Sequence, residues 1–105
     1  MGKVEYSPIA LEDLKNLNNY LIDNWGESVG KRILKKITTD INKLEAFPLM
    51  GTNLAKAIDT PTDYRYLFTE KNYIFYHIEQ DKVRSVRVLN QQQNFISHLF
   101  GKTDD

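Results

Sequence analysis

Few residues in this chain are equipped for chemistry. Arg65, Arg84, Arg87 and His77 sit among aromatic and β-branched side chains in the stretch YRYLFTEKNYIFYHIEQDKVRSVRVLN, Tyr64 to Asn90. An unperturbed imidazole titrates near pH ~6.5, so His77 has the equipment of a general acid or base, though an ordinary strand histidine is the commoner use. An arginine inside an aromatic strand must find a partner or line a polar groove. Arg65 and Arg87 are therefore read either as contacts to a target or as structural ion pairs. Tyr64, Tyr66, Tyr73 and Tyr76 carry rings that can stack on bases, although core and cross-strand packing is more usual. His98 falls among Phe95, Ile96, Leu99 and Phe100, where packing or a helix C-terminal dipole accounts for it. Two histidines without a neighbouring carboxylate pattern make no case for a metal, and nothing calls for a cofactor. No nucleophile with a base, and no paired carboxylates, point to hydrolysis of a small molecule.

Composition narrows the field. A chain of 105 residues, 41% hydrophobic, can bury one core and not two, so residues 1–105 read as a single domain. Without cysteine there is neither a disulfide framework nor a thiolate metal site. The first residues lack an apolar signal core, and no apolar run approaches the ~20 residues that span a bilayer. A cytoplasmic protein without a membrane partner is expected. The 14 basic and 14 acidic residues cancel, so no global field draws the chain to nucleic acid. Residues 1–64 carry eight Lys/Arg against nine Asp/Glu, and 65–102 carry six against three. That excess is small for a protein gripping RNA mainly through phosphates.

These side chains need a frame, and apolar periodicity supplies it. Tyr64–Asn90 reads as consecutive short strands broken by polar turns at 69–72 and 79–82, an antiparallel meander. Alternation puts Ile74, Tyr76 and Ile78 on one face and Tyr73, Phe75 and His77 on the other. A three-residue turn over 80–82 pairs His77 with Ser85 and Phe75 with Arg87; a two-residue turn sets His77 opposite Arg84. The first is preferred because it buries Ile74, Tyr76, Ile78, Val86 and Val88 together.

Upstream, residues 3–6 alternate as a short strand, and Ser7-Pro8 is a helix start. Ala10, Leu14, Leu17, Leu21 and Trp25 form one buried stripe, closed by Gly26. A second helix runs from 27 or 28 to about 46 on Val29, Ile33, Ile37, Ile41 and Leu44. Leu34 widens that face, and Lys31, Arg32, Lys35, Lys36 and Lys43 lie off it as a charged outer surface or a docking face for an acidic partner. So short a link makes an antiparallel hairpin. Pro48 and Gly51 end it, and 52–63 reads as a loop with room for one helical turn at Leu54, Ala57 and Ile58. After Asn90 comes the uncharged NQQQN, then a short C-terminal helix closed by Gly101 and a frayed tail, 102–105. The class is α+β, ordered β-α-α-β-β-β-α, with the helix hairpin on one face of a twisted antiparallel sheet and the working surface on the open face.

In that order the local signatures resemble the RelE/ParE superfamily of toxins from bacterial type II toxin–antitoxin systems. They are Val4-Glu5-Tyr6-Ser7 with Ala10 and Asp13-Leu14, LEAFPLMG at 44–51, Tyr64-Arg65-Tyr66-Leu67, Asn72-Tyr73-Ile74-Phe75-Tyr76, and Val86-Arg87-Val88-Leu89. The resemblance implies a small toxin held inactive by a cognate protein antitoxin, meeting operator DNA only through that antitoxin. It also implies a target: DNA gyrase for ParE-like members, messenger RNA in the ribosome for RelE-like ones, or none for a relative that only binds antitoxin. Cutting RNA requires deprotonation of a 2′-hydroxyl, stabilisation of phosphorane charge and protonation of the leaving oxygen. At matching positions stand Arg65, Tyr73 and Arg87, the catalytic candidates if the chain is a nuclease. Candidates for target or antitoxin contact are Arg65, Phe75, His77, Arg87, Asn90 and Gln93. Where related nucleases carry histidine or basic residues this chain reads NQQQN, and an amide cannot exchange a proton near neutral pH. Within that resemblance, the uncharged NQQQN segment and the neutral overall charge favour gyrase inhibition over RNA cleavage, and leave open whether the chain is an enzyme.

Overall fold

Ser7 begins the first helix as its chemistry predicts. Its Oγ accepts the Ala10 N–H at 2.9 Å and donates to the Val86 carbonyl at 2.8 Å, so the cap also ties the helix to the last strand. The computed structural model describes residues 3–101; the tail expected to fray lies outside the described residues. The elements are β1 (Lys3–Tyr6), α1 (Pro8–Trp25), α2 (Glu27–Asn42), β2 (Thr52–Asn53), α3 (Leu54–Ile58), β3 (Arg65–Thr69), β4 (Asn72–Glu79), β5 (Lys82–Asn90) and α4 (Phe95–Phe100), with 3₁₀ turns at Lys43–Glu45 and Pro48–Met50. Gly26, at φ 93°, is the whole link between α1 and α2. That backbone angle is open to glycine and strained for other residues.

The α+β order holds, with additions. Strands run β1-β5-β4-β3-β2 across one sheet. The β3–β4–β5 meander is antiparallel as expected, but β1 lies parallel to β5, so the sheet is mixed. The two-residue β2 pairs with Arg65 and Tyr66 in a segment read as loop. Two residues are too few to leave an alternating signature.

The last hairpin combines both registers considered above. Its turn has two residues, so His77 faces Arg84 and Ile78 faces Val83; a bulge then restores Phe75 to Arg87. The extra residue at Val86 reverses which side chains face the helices. Val83 and Ser85 are buried there before it and Val88 after it, whereas Leu89 turns to the opposite face. Ile78, expected in the core, is 37% exposed, and Val86 is only partly buried.

Ile37 and Ile41 of α2 pack on Ile74 and Val88, and Leu44 packs on Tyr76 and Val83. Each such buried side chain contributes about 1.5–3 kcal/mol. Asp40 fixes α2 to the sheet by accepting the Thr69 hydroxyl at 2.7 Å, and meets Lys36 on its own helix and Lys43 just past its end. Burial pushes its carboxyl up, but hydrogen bonds from Lys36, Thr69 and Lys43 outweigh this and hold it below the usual carboxylate range.

The second sheet face is not open. Phe75, Leu89 and Leu54 are buried on it, with Ile58, Tyr64, Phe95 and Leu99 packed around them. Helices α3 and α4 supply that cover because their own apolar residues have nowhere else to go.

Candidate functional site

Arg65 stands opposite Tyr76 across β3 and β4, and the pair grips the chain leaving α2. The Tyr76 hydroxyl accepts the Gly51 N–H at 2.9 Å and donates to the Pro48 carbonyl at 2.8 Å. Arg65 Nη2 donates to the carbonyls of Gly51 at 2.9 Å and Leu49 at 3.2 Å, while its Nε is buried without a partner. Burial raises the Tyr76 pKa, against the opposing pull of the Gly51 N–H and Arg65. Arg65 is thus spent on backbone, holding a turn on which Phe47, Leu49 and Met50 are exposed.

Arg87 is a strut as well. Its Nε and Nη2 meet the two carboxylate oxygens of Asp13 in α1 at 2.8 and 3.0 Å, and Asp13 Oδ2 also accepts the Val88 N–H at 2.9 Å. Both side chains are largely buried, at 16% and 12% exposure. Tyr73 lies on the sheet face opposite Arg65, its ring packed against Tyr66, Phe68, Phe75 and Phe95. The structure therefore does not bring Arg65, Tyr73 and Arg87 together. Phe75 is fully buried under α4 and has no surface for a partner.

His77 is partly exposed, with Glu79 3.0 Å from Nε2, Asp63 3.6 Å from Nδ1, and the Tyr64 ring 5.7 Å away. It sits between acids near the turn of the last hairpin, far from the NQQQN end. Among the described residues no group of three or more His, Asp or Glu could hold a metal, and no helix is long and apolar enough to cross a membrane.

Asn90 and Gln93 fare differently. They line a groove of about 1040 Å³ between the closed end of the helix hairpin and the end of the sheet. Gln93 Oε1 accepts the Asn90 N–H at 2.7 Å, Asn90 Oδ1 accepts the Gln92 N–H at 2.9 Å, and Gln91 N–H reaches the Lys71 carbonyl at 3.0 Å. The amide oxygens thus shape the turn. The facing wall is apolar: Leu17, Tyr20 and Trp25 from α1, Val29 and Ile33 from α2. Trp25, expected at the end of the core stripe, is 63% exposed, and Tyr20 on the same helix is 55% exposed, so the stripe leaves the core before the hairpin tip. An apolar wall beside a polar rim suits an amphipathic segment. Sequence reasoning missed this wall because periodicity marks a face as apolar without saying what covers it; a tryptophan beside the hairpin glycine was the available signal.

No curated protein matches the chain. Among solved structures, one described as the chromosomal ParDE TA system from P. aeruginosa matches with a TM-score of 0.73 at 13% identity, covering 86% of this chain and 96% of that one. At that identity the likeness speaks for the fold. The family model for the ParE toxin of type II toxin–antitoxin systems, parDE, matches residues 4–95. With that match over the strand, the helix hairpin and the meander, the chain belongs to the ParE toxin family.

Proposed function

We propose that this chain is the growth-inhibiting half of a toxin–antitoxin pair, that a cognate antitoxin neutralises it by laying an amphipathic segment in the groove between the helix hairpin and the NQQQN turn, and that its target is DNA gyrase. The observation that carries the target is the dispersal of the nuclease candidates. Arg65 and Arg87 are committed to Gly51, Leu49 and Asp13, Tyr73 is packed among aromatic rings, and the 90–94 segment has no titratable side chain. General acid–base cleavage needs such groups within hydrogen-bond reach of one phosphate. A poison that acts by binding needs none.

The test is expression of the chain alone in a bacterial host, with messenger RNA 5′ ends mapped soon after induction and supercoiling by purified gyrase followed in parallel. Growth arrest with an unchanged RNA profile and inhibited supercoiling is the expected result. Cuts phased to the ribosomal A site would overturn the gyrase reading. Arrest that a co-expressed antitoxin relieves in the parent but not in a Trp25→Ala variant would support the groove.

A further inference from the structure

Helix α2 carries a second surface on the side away from the sheet. Lys31, Arg32 and Lys35 lie there, all exposed, with Lys36 on its flank and Lys43 just past the end of the helix. The acid on this part of the helix, Asp40, is turned into the sheet and takes up Lys36 and Lys43. Lys31, Arg32 and Lys35 have no carboxylate within ion-pair distance among the described residues, in a chain with as many acids as bases. The acids of the helix stand apart from these three cations, since Glu27 in its first turn is beyond ion-pair distance of Lys31 and Asp40 is turned to the sheet.

We propose that this stripe is a contact for the phosphate backbone of duplex DNA. Charge complementarity supports that occupant, since B-DNA carries one phosphate per ~1.7 Å of duplex with both strands counted, about three over the roughly 6 Å of helix from Lys31 to Lys35. The shape of the site supports it too. The stripe lies on a convex helix flank, and neither the groove nor the smaller hollow at Glu45, Ile78 and Lys82 touches it, so neither offers an acidic peptide a seat against these cations. Its neighbours Ser28, Thr39 and Asn42 are small and polar, without the aromatic platforms on which single-stranded RNA stacks. A single stripe is also shorter than the two successive minor grooves over which double-stranded RNA is gripped. Contacts of this kind are independent of base sequence, weak and strongly dependent on salt.

The test titrates a labelled 20-base-pair DNA duplex with the full chain between low and moderate salt, reading fluorescence anisotropy. Three phosphate contacts give a slope of log K against log salt near −2.7. Lys31→Gln, Arg32→Gln and Lys35→Gln together should remove about that much slope and at least tenfold in low-salt affinity. Glutamine keeps helix propensity close to that of the residues replaced. Lys3→Gln, Lys15→Gln and Lys56→Gln together, the same loss of charge elsewhere, should bind like the parent, and matching urea midpoints show that all the chains are folded. Absence of binding by the parent at low salt, or a parent-like slope in the stripe variant, overturns the proposal. Tighter binding of polyglutamate or of an RNA duplex than of DNA overturns the choice of occupant.

Discussion

Arg87 and Asp13 can be separated experimentally into strut or contact. The ion pair is bidentate, its carboxylate also accepts the Val88 N–H, and its members are 16% and 12% exposed. Replacing Arg87 by Met strands a carboxylate against the sheet. Breaking a buried pair from one side costs about 3–5 kcal/mol, and the residual exposure here argues for about 3. That is a large share of the roughly 5–15 kcal/mol by which a domain is stable. With a urea slope of about 1.5–2 kcal/mol per molar, the midpoint should fall by roughly 1.5–2 M. Asp13→Asn should be costly too, because one oxygen of the fork is lost. The double variant should cost less than the sum by about 1–3 kcal/mol, since the second change removes a group already stranded. Equilibrium unfolding of the four proteins, followed by circular dichroism, closes this cycle. Additive single changes would refute the coupling. A normal midpoint in Arg87→Met with loss of growth arrest or antitoxin binding would show that Arg87 works on a partner.

Other substitutions test the remaining joints. A Cβ at Gly51 would press on Tyr76 Oη and stand 2.7 Å from the Tyr66 carbonyl, so Gly51→Ala should lose about 1–3 kcal/mol and its melting temperature should drop; an unchanged melt would mean the turn is loosely held. Asp40→Asn should cost about 1 kcal/mol at pH 7, a modest figure because Lys36 and Lys43 are half exposed. Since the folded state lowers the Asp40 pKa, its stabilisation is complete above the unfolded value near ~3.9 and is lost as pH falls through the folded one. Urea midpoints of the two proteins should therefore converge towards pH 2, and a constant gap would contradict that sign. Trp25→Ala should change stability by no more than about 0.5 kcal/mol and weaken antitoxin binding by about 30-fold or more; equal affinities in titration calorimetry would remove the groove from the interface.

What could be read in the sequence was local. Ser7-Pro8, Gly26 and the Ile33–Ile37–Ile41 spacing act within one or two helical turns, and the structure follows them. The bulge at Val86 could not be read this way. It shifts the phase of β5 midway, and alternation assumes a single phase, so Ile78 and Val86 were assigned to the core in place of Val83 and Ser85. The partner of Arg87 was hidden by distance, 74 residues away in the chain, and no spacing rule connects such positions. At the site the situation was divided. Asn90 and Gln93 stood out because they are uncharged where RNA-cutting relatives were expected to carry charge, whereas Trp25 was absorbed into a stripe assumed to be covered along its whole length and Tyr20 was not singled out.

The single glycine between α1 and α2 has a mechanical consequence. The polar ties of the helix layer to the sheet at Ser7, Asp13 and Asp40 all lie in the open half of the hairpin, and the closed half, with Trp25, Gly26 and Val29, has none of them. A longer loop would let the helices part independently; one residue does not. Anything wedged beneath Trp25 must swing the two helices together, as a lever about 18 Å long pivoting near Asp13. The load of an occupied groove then falls on the Asp13–Arg87 fork, so amide exchange at Val88 should report events at the far end of the helices.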